Sequence, residues 1–194
     1  FTQTAGQTAT NFNGLIDVET AFDFNGAALT ITGTGTSDVG GTMSITNSGI
    51  FTLDQASVLT VGTLTQDGSG SNVIGDNITA DTGGITFAET VTLTSGLADD
   101  TIVFTTSANS QAINFDDTGN SILIADNESL TLVAGNAGAN SGNIGVDGVV
   151  NFGTAGDLTV TRGLTTTFAK AFSAENFTQT AGQTATNFNG LIDV

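Results

Sequence analysis

Residues 1–18 read FTQTAGQTATNFNGLIDV, and residues 177–194 read FTQTAGQTATNFNGLIDV again, identical at every position. The offset from Phe1 to Phe177 is 176 residues. Self-similarity at a fixed period is the signature of a repeat architecture. Residues 1–176 are therefore expected to form one full repeat unit, with 177–194 the start of the next identical copy. On that expectation the chain is a tandem-repeat segment, an interior piece of a longer array whose two ends are cuts through it. A finer echo lies inside the unit, where Leu64-Thr65-Gln66-Asp67-Gly68 resembles Phe1-Thr2-Gln3-Thr4-Ala5.

Between the two copies, short apolar–polar–apolar triplets recur. They are Phe22/Phe24, Leu29/Ile31, Met43/Ile45, Phe51/Leu53, Leu59/Val61, Ile85/Phe87 and Val91/Leu93. Ile102/Phe104, Ile113/Phe115, Ile122/Ile124, Leu130/Leu132, Ile144/Val146, Val150/Phe152 and Leu158/Val160 continue them. A spacing of two is the strand period, with both side chains on one face. Thr, Asp, Asn and Ser fill the alternate positions, and Gly-Gly, Asn-Gly, Asp-Gly and Ser-Gly stand between triplets as turn chemistry. Strands this short at this spacing suit a sandwich or barrel, or a solenoid. The long repeat favours the solenoid, because each copy can stack on the last. The fold expected is all-β, a parallel β-helix (β-solenoid). With coils of about 22 residues the period holds roughly eight, adding on the order of 40 Å of rod.

Composition agrees with strands. Thr is the commonest residue, with 26 Gly and no Pro, Cys, Trp, Tyr or His. Thr favours a pleated, half-buried surface, and the scarcity of Lys, Arg and Glu removes the better helix formers. At 38% hydrophobic the chain has enough apolar surface for a core. The net charge is −17, with Arg162 and Lys170 the only basic side chains. Two cations cannot neutralise a run of phosphates, so nucleic acid and anionic membrane surfaces are excluded as partners. No stretch of roughly 20 apolar residues offers a membrane span.

Ile85-Thr86-Phe87 through Thr94-Ser95-Gly96, Leu130-Thr131-Leu132-Val133-Ala134-Gly135 and Val150-Asn151-Phe152-Gly153 resemble the passengers of giant bacterial exoproteins. Their style is that of filamentous-haemagglutinin-like and autotransporter-like proteins, and it covers most of residues 20–165. The resemblance implies export to the extracellular space or bacterial cell surface. It also implies a right-handed parallel β-helix and a role in adhesion or fibres. It lies in the scaffold and carries no functional residues with it.

The chemical inventory is short. Without His or Cys there is no His-based triad, thiol nucleophile or soft metal site. Asp99-Asp100 and Asp116-Asp117 would suit paired acids of a carbohydrate-cleaving site, but the basic residues lie far along the chain. Asp99, Asp100, Asp116, Asp117, Asp126 and Glu128 are hard oxygen donors that calcium would take. Solvated turn acids are the plainer explanation. No catalytic, cofactor-binding or metal residue is assigned, and calcium is the one ion held open. Rows such as Thr30/Thr32/Thr34/Thr36 resemble ice-binding arrays but are irregular. Asn11, Asn13, Asn25 and Asn47 are candidates for stacked amide ladders. The function expected is a non-enzymatic extracellular fibre or stalk that projects, adheres or sheathes. Its partners are other copies, end to end or laterally packed, with glycan or cell-surface contacts. The alternatives are a carbohydrate-binding or carbohydrate-cleaving β-helix and a calcium-stiffened surface-layer rod.

Overall fold

The computed structural model describes residues 1–6, 8–96, 100–125, 127–136, 141–153 and 156–194. Strands β1 Thr2–Gln3, β2 Ala9–Phe12, β3 Asp17–Val18, β4 Phe22–Gly26, β5 Ala28–Ile31 and β6 Gly35–Asn47 come first. Then follow β7 Phe51–Leu53, β8 Ser57–Gln66, β9 Asn72–Ile74, β10 Ile78–Ala80, β11 Ile85–Phe87 and β12 Val91–Leu93. Next are β13 Thr101–Thr106, β14 Ile113–Phe115, β15 Asn120–Ile124, β16 Ser129–Val133, β17 Ile144–Val146 and β18 Val149–Asn151. Last are β19 Asp157–Phe168, β20 Phe172–Ser173, β21 Asn176–Gln179, β22 Gly182–Phe188 and β23 Ile192–Asp193. Among the described residues no helix is long and apolar enough to cross a membrane.

The triplets read from the sequence fall on strands, with one residue lying outside. Within them only Ile124 is less than fully buried, and Phe152 sits one residue past β18. Intervening residues face outward, so β7, β11, β12, β14 and β17 each alternate buried, half-buried, buried. Burying the apolar member of each pair is what holds these three-residue strands in place. The buried side chains make one cluster running from Ile16 to Ala174.

Among the described residues the strands form two parallel sheets, one of fourteen strands and one of nine. The larger contains two ladders. The first runs β1, β4, β6, β8, β11, β14, β17, β19, β22, and the second β3, β6, β8, β10, β13, β16, β19, β21. The third ladder is the separate nine-strand sheet, β2-β5-β7-β9-β12-β15-β18-β20-β23.

The first two ladders share β6, β8 and β19. As a result β8-β10-β13-β16-β19-β17-β14-β11 close back on β8 as a ring of eight parallel strands. This corrects the expected right-handed parallel β-helix, or β-solenoid, whose short strands would be parted by turns into separate sheets. The chain is all-β and parallel, but its larger sheet closes like a barrel beside a separate sheet. The physical reason lies in β6, β8 and β19, which run on for 10 to 13 residues where turns were expected. One half of β8, Leu59–Val61, pairs with β10, and the other, Leu64–Gln66, pairs with β11.

Glycine lets those long strands turn without breaking. A Cβ on Gly41 would lie 1.6 Å from the Thr20 carbonyl oxygen, and one on Gly62 would lie 2.7 Å from that of Gly41. Glycines read from the sequence as turn punctuation are thus sites of close backbone approach within a strand. Gly41→Ala must push the two backbones apart, and overpacking of this kind costs about 1–3 kcal/mol or more. Chemical denaturation should show that loss, whereas Gly14→Ala, with open space at its Cβ, should be near neutral.

Candidate functional site

The acids singled out in the sequence do not assemble. Asp99 and Asp126 lie outside the described residues. The Asp100 carboxylate accepts the N–H of Thr101 at 2.8 Å and borders an open cleft of about 630 Å³ with Asp54, Asp76, Gln55 and Thr32. Glu128 is fully buried, and its Oε1 accepts the N–H of Ser95 at 2.8 Å. Asp117 accepts from the Thr90 hydroxyl at 2.6 Å and from the Gly119 N–H at 2.7 Å, which closes a turn. Asp116 points elsewhere and faces Asp147, the next residue in its register. Among the described residues no group of three or more such side chains could hold a metal. Calcium needs six to eight oxygens.

Partial burial, and then the Asp147 charge, hold the Asp116 carboxyl above its ordinary range. Its folded pKa exceeds the unfolded one, so the stabilisation it offers is present below about pH 4 and lost as pH rises through the folded value. At neutral pH the ionised group therefore opposes folding. Asp116→Asn should raise stability at pH 7 by a few tenths of a kcal/mol, since the pair is exposed and screened. The same variant should flatten the pH dependence of the midpoint at the acid end.

Both basic side chains serve the scaffold. Arg162 Nη1 donates to the Gly135 carbonyl at 2.9 Å, and Lys170 Nζ donates to the Thr118 carbonyl. The Thr rows are interrupted as well. The outward column of the third ladder reads Thr30, Thr52, Val73, Thr92, Leu123, so no flat hydroxyl array forms.

One buried polar cluster was missed by sequence reasoning. Gln66 Nε2 donates to Asn47 Oδ1 at 2.8 Å and to the Gly68 carbonyl at 2.8 Å, and Asn72 Nδ2 donates to Gln66 Oε1 at 3.2 Å. Of the four asparagines expected in ladders, only Asn47 belongs to it. Asn11 and Asn25 are exposed, and Asn13 accepts from the Thr32 hydroxyl at 3.3 Å.

The duplicated segment is the feature with a geometry of its own. In the first copy Phe1 meets Phe12 edge to face at 5.4 Å, and the Thr10 hydroxyl donates to Gln3 Oε1 at 3.0 Å. In the second copy Phe177 meets Phe188 edge to face at 5.3 Å, and the Thr186 hydroxyl donates to Gln179 Oε1. The two copies therefore share both of these internal contacts. They attach by opposite edges. Strands β1, β2 and β3 pair with β4, β5 and β6, later in the chain, while β21, β22 and β23 pair with β19 and β20, earlier in it.

Comparison with protein-family models, curated proteins and solved structures finds no match. The functional reading rests on these residues alone.

Proposed function

We propose that the chain is a structural segment of an extracellular fibre or stalk on a bacterial surface, built from 176-residue repeats and serving adhesion, projection or sheathing. It is not an enzyme on this reading, and its principal partner is another copy of itself. One observation carries the proposal. A segment repeated without a single change at the period 176 keeps the same Phe–Phe and Thr–Gln contacts while presenting opposite edges for pairing. A module with two usable edges suits an array, because each copy prepares the surface for the next. The continuous parallel ladders suit a load-bearing body, since tension along the stack is shared by many backbone hydrogen bonds.

The charge supports the same use. At −17, neighbouring bodies repel sideways and stay dispersed in solution. Electron microscopy of the native material is expected to show rods or fibres. A field of isolated compact particles at every concentration would refute the proposal.

A further inference from the structure

We infer that the open cleft beside Asp54, Asp76 and Asp100 is a glycan-binding site that takes a short run of a linear, uncharged polysaccharide. Resting on the adhesive role proposed above, the site names what is adhered to.

The cleft, of about 630 Å³, lies where the chain passes from the third ladder to the second. Its walls come from the turns that lead into β6, β8, β10 and β13, four neighbouring strands of the second ladder. With adjacent strands about 4.8 Å apart, it extends for roughly 14 Å along the stack. A left-handed residue stands in three of those passages, Gly35 at φ 116°, Ala56 at φ 63° and Gly96 at φ 70°. Of these, Ala56 alone has a side chain to strain, and residues held in this way gather at ligand-binding sites.

The lining selects the ligand by elimination. Anions are refused, because three carboxylates face the cleft and both basic side chains are bound to carbonyls elsewhere. A lone metal ion is refused too. The three carboxylates stand on three successive turns, and among the described residues no group of three such side chains could hold one. An apolar ligand finds only the Ala56 methyl group among wholly apolar side chains.

What remains is a ligand that both donates and accepts hydrogen bonds. Asp76 and Asp100 each accept the next backbone N–H through one oxygen, from Asn77 at 2.7 Å and from Thr101 at 2.8 Å. Those bonds fix the two carboxylates. Their second oxygens, the Asp54 carboxylate, the Gln55 amide and the Thr34 hydroxyl have no hydrogen-bond partner among the described residues. Sugar hydroxyls donate to the carboxylates and accept from the Gln55 amide and the Thr34 hydroxyl. An ammonium group donates only, and would leave those two donors unmet. Donors and acceptors mixed over successive turns therefore fit a chain of linked sugar rings. A cleft this open holds one such chain weakly. In the array proposed above it recurs every 176 residues, so many weak contacts act together.

The test is affinity gel electrophoresis of the full chain, with laminarin, dextran, mannan or xylan cast into the gel. At least one of the four is expected to slow the chain several-fold. Asp54→Ala combined with Gln55→Ala should remove most of that retardation, and Thr34→Val, on the same cleft, should give an independent loss. Asp81→Ala, an exposed acid outside the cleft, should keep it. Unfolding midpoints measured alongside separate loss of binding from loss of fold. No retardation by any of the four, or equal retardation of every variant, would overturn the site. So would a gel of chitosan, a polyamine, if retardation there alone depended on Asp54 and Gln55. The gels read single chains. Isolated particles in the micrographs would therefore sink the fibre reading alone, and absent retardation would sink the site alone.

Discussion

Replacing Gln66 by leucine is expected to cost on the order of 3 kcal/mol, although the change makes a buried column more apolar. The column reads Gln3, Phe24, Ile45, Gln66, Phe87, Phe115, Val146, Phe168, and Gln66 is the one amide fully buried in it. Hydrophobicity alone predicts a gain from leucine, which is similar in size. The loss comes from the groups left behind. Asn47 Oδ1 and the Gly68 carbonyl, both on buried residues, accept from Gln66 Nε2 and would lose that donor. A buried polar group left unpaired costs about 1–3 kcal/mol. The other partners are better insured. Asn72 Nδ2 also reaches the Glu89 and Thr90 carbonyls, and the Ala88 N–H also donates to the Gln66 carbonyl. Urea denaturation should show a lower midpoint at unchanged slope. A variant as stable as the parent would mean that the amide cluster contributes no net stability.

Gln66 also marks the limit of what the sequence disclosed. Strand positions were legible because the apolar pair and its polar centre are local, and a period of two needs no knowledge of neighbours. Leu64-Thr65-Gln66 and Phe1-Thr2-Gln3 were heard as an echo, and they do occupy the same ladder positions, with Thr2 and Thr65 both in the column of Asp23. Gln66 itself gave no sign of being buried. It stands beside Asp67-Gly68 and looks like the start of a turn, and its side-chain partners lie 6 and 19 residues away.

Ring closure was illegible for a related reason. Gly40-Gly41 reads as a turn until the backbone of Thr20 is placed against Gly41. The phase of the repeat was hidden too. The ladder step is 21 residues from Thr2 to Thr86, but 28 to Asn114 and 31 to Gly145. Those longer steps make eight of them overrun the period, which carries the second copy onto different ladders. As for the candidate acids, residue type named them, but pairing depends on where each turn points, and composition does not encode that.

Phe115→Ala is expected to be the most damaging apolar truncation, costing about 3–5 kcal/mol. Phe115 is 1% exposed and packs parallel to Phe87 at 5.9 Å and to Phe104 at 6.1 Å, while Phe87 and Phe104 meet at 5.9 Å. The three rings come from β11, β14 and β13, so they fasten the two ladders of the closed ring to each other across its interior. Deleting one ring removes two aromatic contacts and leaves a cavity. The walls cannot collapse into it freely, because Asn114 and its neighbours are held in register by β11 on one side and β17 on the other. Phe1→Ala provides the contrast. That ring stacks on Phe22 at 4.5 Å but is 44% exposed at an unpaired edge, so its loss should cost far less. If thermal melts rank the two variants the other way round, the ring interior is not where this fold keeps its stability, and the terminal segment is more than an edge.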